Sequence, residues 1–137
     1  MTHSRGKIVV IPMLRPAFLC LALSYKTFHM TNIEIIIIPV TEKEKAKEFY
    51  MQLGFQVLVE APADHGHTWL QMGLPSQTTS IALMHFHGII IETDDIEKDI
   101  RELKTKGIEV GKIDEKPWGK FAWTKDPDGN GLCLHQK

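Results

Sequence analysis

The stretch Pro117–Gln136, PWGKFAWTKDPDGNGLCLHQ, decides the fold, because it has the pattern of two strands joined by a tight turn. The two-residue period of a strand places Phe121 and Trp123 on one face of the first strand. The turn is Asp126–Gly129, in which the first aspartate can bond the downstream backbone and the proline presets φ. Its glycine tolerates the left-handed conformation that ends such turns. The rest of the chain is expected to pack onto this hairpin.

Length and charge restrict the protein to a few classes. A chain of 137 residues with 43% hydrophobic residues predicts one folded domain. Sixteen basic and seventeen acidic residues give a formal net charge of −1, so nothing electrostatic favours nucleic acid or a membrane. The two cysteines, Cys20 and Cys133, have no spacing typical of a disulfide framework or a zinc site. A reducing compartment, the cytoplasm, is therefore expected.

Residues 1–30 differ from the rest and are predicted to be an extension outside the domain, which would span 31–137. A secretory signal is the alternative, since a basic start is followed by an apolar run and the small residues Ala22 and Ser24. Arg15 interrupts that run, which is also too short to span a bilayer.

From Thr31 onward the pattern predicts strand, helix and three strands, and then the same order again. Thr41 is expected to cap the first helix with Glu44, as a capping box. Asp94 or Asp95 is expected to cap the second helix. The apolar stripes of the helices are Ala46, Phe49, Tyr50 and Leu53, and Ile96, Ile100 and Leu103. The predicted strands are 33–40, 55–60, 68–72, 79–84, 88–92, 108–113, 120–125 and the segment after the final turn.

The two halves align on each other at an offset of 53 residues, from Gly54 to Gly107, the glycines expected to end the helices. The same offset pairs Ile35 with Gly88. The prediction is an α+β fold of two βαβββ modules, at about 31–85 and 86–137. They are expected to form two small sheets that face each other across a cleft.

Five short motifs occur in order along the segment 31–136: VTEKEKAKEFY at 40–50, LGF at 53–55, TDDIE at 93–97, PWG at 117–119 and DPDGN at 126–130. In these motifs the segment resembles the vicinal oxygen chelate superfamily, which includes glyoxalase I, extradiol dioxygenases, fosfomycin-resistance enzymes and bleomycin-resistance proteins. Members of this superfamily are built from paired βαβββ modules, and the resemblance implies the same cupped mixed sheet here.

The resemblance also implies four positions for a divalent metal, one on the first and one on the last strand of each module. The family's enzymes place His, Gln or Glu there. In this chain the positions fall on Ile35, Ala82, Gly88 and Cys133. Three of these residues have no side-chain donor, so a divalent metal is not expected and no cofactor is predicted.

Seven histidines keep a displaced metal site open as a rival. His85 and His87 share a face if their linker is extended, and His135 lies two residues beyond Cys133. The simpler interpretation is that His85 and His87 are linker residues and that His65 and His67 belong to a loop.

Aromatic and apolar residues predict a pocket for a small planar molecule, with plain core packing as the alternative. The ligand-binding candidates are Trp123, Phe121, Trp118, Ile35, Ile37, Ala82, Met84 and Ile90, whereas the side on which Trp69 lies is left open. The catalytic candidates are Glu92, His135 and Cys133, as a general base or as a nucleophile with its base.

The expected function is metal-independent binding of a small, partly aromatic molecule, as in bleomycin-resistance-like sequestration. A glyoxalase- or lyase-like enzyme is the first alternative, and an accessory module with a filled cleft is the second. The short linker between Met84 and Gly88 leaves little slack for the modules to fold onto each other, so a homodimer is expected.

Overall fold

A computed structural model describes residues 28–137, and its elements follow the predicted order. The helices are α1 (Lys43–Gln52) and α2 (Ile96–Thr105), and a single 3-10 turn covers Asp64–Gly66. Neither helix is long and apolar enough to cross a membrane. The strands are β1 (Met30–Pro39), β2 (Gln56–Pro62), β3 (Thr68–Gly73), β4 (Ser80–Met84), β5 (Gly88–Thr93), β6 (Asp114–Lys116), β7 (Gly119–Lys125) and β8 (Gly131–Gln136).

The strands form one mixed sheet of eight, in the order β2-β3-β4-β1-β5-β8-β7-β6. Each module contributes four neighbouring strands, and β1 pairs antiparallel with β5 to join the modules. The α+β fold of two βαβββ modules is confirmed, but the expectation of two separate sheets is wrong. Strand β1 carries isoleucines on both faces, so it can lie in the middle of a continuous sheet.

Successive side chains along each strand alternate between the two faces of the sheet. The face that packs against the helices is the outer face. We call the opposite face, which carries Ile35, Ile37, Ala82 and Cys133, the inner face.

Both helices pack on the outer face of the sheet. Helix α2 buries its predicted stripe, Ile96, Ile100 and Leu103, against Ala122 and Leu134. Helix α1 packs less completely. Its side chains Ala46 and Tyr50 pack against a cluster of Leu70, Met72, Ile81 and Leu83, but Phe49 and Leu53 stay 56% and 57% exposed.

The helix ends agree only in part with their predicted caps. Asp95 accepts a hydrogen bond from the backbone N–H of Lys98 at 3.0 Å, which confirms the cap of α2. The capping box predicted at Thr41 and Glu44 is wrong, because Glu42 occupies the N-cap of α1 and no side chain caps it. The glycines expected at the helix ends do have positive φ, 100° at Gly54 and 79° at Gly107.

The strand predicted at 108–113 is also wrong, and β6 lies just beyond it. Val110 and Ile113 turn toward α2 and join its apolar cluster. The backbone is held to β7 by isolated bonds, one of them from the Gly111 N–H to the Trp123 carbonyl at 2.9 Å. Packing under the helix therefore replaces regular strand pairing.

The fold begins before the boundary predicted at residue 30. Phe28 and Met30 join the cluster under α2. The backbone N–H of His29 donates to the buried carboxylate of Asp99 at 2.7 Å, and Thr93 Oγ1 donates to the same carboxylate at 2.5 Å. The extension and the secretory signal were predicted for residues 1–30, of which 1–27 lie outside the described residues.

Candidate functional site

The centre of the inner face is an apolar floor covered by the protein's own aromatic side chains. Trp69, Phe86 and Phe121 pack against this floor, so the side of Trp69 is now defined. The floor residues are all 6% exposed or less, and they are Ile35, Ile37, Ala82, Met84, Ile90 and Cys133. The apolar residues predicted to bind a ligand thus share one surface, but they are buried under aromatic side chains of the same chain.

The four positions at which the family would hold a metal lie on two adjacent rows of this floor. Strand register aligns Ala82 with Gly88 through Ile37, and it aligns Ile35 with Cys133 through Ile90.

The donors at these positions do not fit a divalent metal. A Cβ added at Gly88 would lie 2.7 Å from the carbonyl oxygen of Gly131, so the β5–β8 contact leaves no room for a side chain there. Burial raises the pKa of the Cys133 thiol to about 12, which opposes the thiolate that a metal would need. Among residues 28–137, no group of three or more His, Cys, Asp or Glu is placed to hold a metal.

The histidines of the rival metal hypothesis are dispersed. His67 and His85 stack on each other, with ring centroids 4.0 Å apart and planes 19° apart. His87 lies in the linker and lines an open cavity, whereas His135 belongs to a separate network at the far end of the inner face. His65 lies in the 3-10 turn with a φ of 58°.

An open cavity of about 460 Å³ lies where the β4–β5 linker meets the final hairpin. Trp123, which is 39% exposed, and Phe86 meet edge to face there, with centroids 5.9 Å apart and planes at 72°. The lining residues are Phe86, His87, Trp123, Thr124, Lys125, Gly129 and Gly131. A second cavity of about 300 Å³ shares His87 and Gly131 with the first.

The turn between β7 and β8 shapes this end of the molecule as its composition predicts. The Asp126 carboxylate accepts bonds from the backbone N–H of Asp128 at 2.9 Å and of Asn130 at 2.8 Å. The Asn130 amide donates to it at 2.7 Å and, as the largest cause, holds the pKa of Asp126 below its ordinary value. Gly129 has a φ of 85°, as expected.

His135 is held by the protein's own acceptors at the other end of the inner face. Its Nδ1 lies 2.6 Å from Glu34 Oε2, and its Nε2 lies 3.1 Å from the Trp118 carbonyl oxygen. The ring stacks on Phe121 with centroids 4.2 Å apart. Both nitrogens therefore contact oxygen atoms of the protein itself.

The other catalytic candidates are also occupied. Glu92 accepts from Lys137 at 2.9 Å, and that hydrogen bond lowers the pKa of Glu92 and raises the pKa of Lys137. A carboxylate with a lowered pKa is a weaker base. Cys133 is fully buried and its Sγ lies 3.4 Å from the Leu134 carbonyl oxygen, so the thiol is poorly suited to attack a substrate.

The aromatic candidates divide into two groups. Trp123 and Phe121 oppose Cys133 and His135 on the neighbouring strand, so their predicted side of the sheet is confirmed. Trp118 is 65% exposed and is not among the residues that line the larger cavity. Its contribution to the network of His135 is a backbone carbonyl.

Glu34 is a residue of the His135 network that the sequence pattern missed. The pairing of β1 with β5 shifts between Ile33 and Ile35, and this bulge lets Glu34 reach His135 on the inner face. Strict alternation from Ile35 would have placed Glu34 on the opposite face. The available signal was a single carboxylate inside an isoleucine run.

One solved structure shares this architecture, and two further proteins are similar to the chain in sequence. Methylmalonyl-CoA epimerase from Mycobacterium tuberculosis aligns at a TM-score of 0.70 and 16% identity, covering 80% of this chain and 90% of that one. An antibiotic binding protein from Streptomyces sp. CB03234 is 33% identical over 78% of this chain and 96% of its own, at a TM-score of 0.38. A glyoxalase/bleomycin resistance protein from the same strain is 35% identical over 77% and 100%, at a TM-score of 0.36.

No curated protein sequence matches the chain. The family model described as Glyoxalase/Bleomycin resistance protein/Dioxygenase superfamily matches residues 29–134. That range includes the first βαβββ module, the second as far as Leu134 in its last strand, and the floor of the inner face. The chain therefore belongs to the glyoxalase/bleomycin resistance protein/dioxygenase superfamily.

Proposed function

We propose that this protein binds a small, partly aromatic organic molecule without a metal and retains it by stoichiometric capture. The observation that carries the proposal is the cavity of about 460 Å³ walled by Phe86 and Trp123. Its volume lies within the ordinary range for small-molecule sites. An aromatic ligand would stack on the half-exposed indole of Trp123.

The site proposed here is the open end of the inner face rather than its centre. Trp69, Phe86 and Phe121 already fill the space above the floor, as an accessory module with a filled cleft would have it. The cavity beside Trp123 distinguishes ligand binding from an accessory role, because a cleft filled by the protein's own side chains has no room for a ligand. A ligand that binds the native state raises the apparent melting temperature.

No specific observation favours the enzymatic alternative. Glu92 is paired with Lys137, both nitrogens of His135 have acceptors, and the thiol of Cys133 is buried and neutral. The proposed mechanism is accordingly binding without chemistry. A cytoplasmic location stays a prediction.

Removing the indole of Trp123 tests the proposal directly. We expect Trp123→Ala to raise the dissociation constant of N-phenyl-1-naphthylamine, a neutral planar dye, about tenfold through lost stacking and burial. Titration of the dye fluorescence measures this change in the dissociation constant.

Trp118→Ala is the matched control, since it removes an indole that lies outside the cavity lining. We expect its affinity for the dye to stay within twofold of the wild type, a margin of about 0.4 kcal/mol. An unchanged dissociation constant in Trp123→Ala, or no dye binding by the wild type, would contradict the proposal.

We also propose that two copies associate along edge strand β2. Within one chain, residues 85–87 suffice to join the modules, because these lie side by side in one sheet. The dimer proposal therefore rests on the edge itself. Val57, Leu58 and Val59 are 37%, 54% and 42% exposed on a strand with one unpaired side. Exposed apolar edges of this kind favour pairing with another strand.

A further inference from the structure

The described side chains that line the larger cavity include a positive charge and no negative charge. Among residues 28–137, Lys125 is the only lining residue with a permanent charge, and neither Asp nor Glu lines the cavity. Lys125 follows Trp123 by two positions on β7, so both lie on the same side of that strand. The positive charge of Lys125 therefore lies on the same side of β7 as the Trp123 indole.

This cation is not neutralised by a partner in the part of the chain that the structure describes. Five other lysines each form an ion pair of 3.2 Å or less, namely Lys45, Lys47, Lys116, Lys120 and Lys137. Lys125 forms none within 4.0 Å among residues 28–137. The cavity thus retains one positive charge available to a ligand.

Asp126, the acidic residue nearest to Lys125 in sequence, uses its carboxylate for hydrogen bonds within the turn between β7 and β8. The Asp126 carboxylate accepts three hydrogen bonds from Asp128 and Asn130, and the residue lines the smaller cavity rather than the larger one. Thr124 likewise donates its hydroxyl to the Glu109 carbonyl at 2.6 Å. Among the described lining residues, the side chains with a nitrogen that can face a ligand are those of Lys125 and His87.

We propose that the larger cavity selects aromatic ligands that carry a negative charge, such as a carboxylate or a sulfonate. This inference rests on the proposed function and names the ligand class for the same cavity. Side chains two positions apart on one face of a strand are about 7 Å apart. A ring stacked on Trp123 therefore places an anionic substituent of naphthalene-sized spacing within reach of Lys125.

A matched pair of dyes separates charge from ring binding. 1-Anilinonaphthalene-8-sulfonate is anionic, and N-phenyl-1-naphthylamine has the same rings without the sulfonate. In Lys125→Gln, we expect the dissociation constant of the sulfonate dye to rise about three- to fivefold, as for a partly exposed ion pair, and that of the neutral dye to stay within about twofold. Fluorescence titration of the full-length chain measures both.

Lys98→Gln is the control for net charge, because Lys98 lies on α2, which packs on the outer face. It should leave both dyes unchanged. Raising the salt concentration from about 50 mM to about 500 mM should raise the dissociation constant of the sulfonate dye more in the wild type than in Lys125→Gln, because salt screens the ion pair. Cooperative thermal unfolding of each variant verifies that the dyes report a folded site.

Two outcomes are distinguishable. If the neutral dye binds through Trp123 but Lys125→Gln leaves the sulfonate dye unchanged, this inference is overturned and the proposed function stands. If neither dye binds the wild type, both are overturned.

Discussion

At the scale of single residues, Cys133 shows how burial changes the role of a side chain. The thiol lies on the floor of the inner face and its pKa is raised to about 12, because burial disfavours the thiolate. A neutral, covered thiol behaves as a small apolar group rather than as a nucleophile or metal ligand. The residue at the family's fourth metal position is thus part of the core.

We expect Cys133 to resist alkylation by iodoacetamide in the native protein at about pH 8 and to react readily in urea. Mass spectrometry of the peptide that contains Cys133 measures the difference. Rapid labelling of this peptide under native conditions would contradict the burial.

The raised pKa of the Cys133 thiol also predicts that the free energy of unfolding falls at alkaline pH. The folded pKa lies above the ordinary value of 9.0, so the contribution is fully present below pH 9 and is lost as the pH rises toward about 12. Cys133→Ala lacks this titration. The difference in melting temperature between wild type and variant should therefore shrink across that range.

At the scale of elements, the close contact of β5 and β8 depends on Gly88. A Cβ at this position would collide with the Gly131 backbone, and Gly131 lines both cavities. We expect Gly88→Ala to lower the free energy of unfolding by about 2 kcal/mol and to weaken dye binding, because β8 must move. Urea denaturation and dye titration measure the two effects.

Gly107→Ala is a suitable comparison, since its Cβ would meet no atom within 4 Å but its φ of 79° is unfavourable for alanine. It should lower stability by about 1 kcal/mol and leave dye affinity unchanged. Equal stability of Gly88→Ala and wild type would mean that the strands are not held as closely as described.

At the scale of the whole molecule, the two ends of the sheet differ in a way that bears on assembly. Edge strand β6 is three charged residues, Asp114–Lys116, whereas edge strand β2 is seven residues long and carries an exposed apolar run at 57–59. Short charged edges resist pairing, and long apolar edges favour it. Edge strand β6 is therefore protected against pairing with a strand of another molecule, whereas edge strand β2 is not.

We expect the wild type to be a dimer by light scattering at micromolar concentration, and Val59→Lys to be a folded monomer, since a charge on the edge opposes pairing. Glu115→Lys on β6 is the control and should leave the dimer intact. A monodisperse wild-type monomer would contradict the proposed interface.

Local sequence patterns determined the order of the elements and the chemistry at the family's metal positions. The isoleucine run of β1, the glycines ending both helices and the turn Asp126–Gly129 each act over a few residues, so their effects can be read without the fold. Alternation along β7 and β8 likewise placed Trp123 opposite Cys133 correctly. The side chains of Ile35 and Ala82 carry no donor atom, so neither can bind a metal in any fold.

Only the tertiary structure decided which predicted residues a ligand could reach. Contacts between segments distant in sequence cover the floor with Trp69, Phe86 and Phe121, and they leave the cavity at His87 and Lys125 open. A bulge in β1 turns Glu34 toward His135 against the two-residue period. Packing under α2 likewise draws the segment 108–113 out of regular pairing. Each outcome depends on how much space neighbouring elements leave, and no local pattern encodes that space.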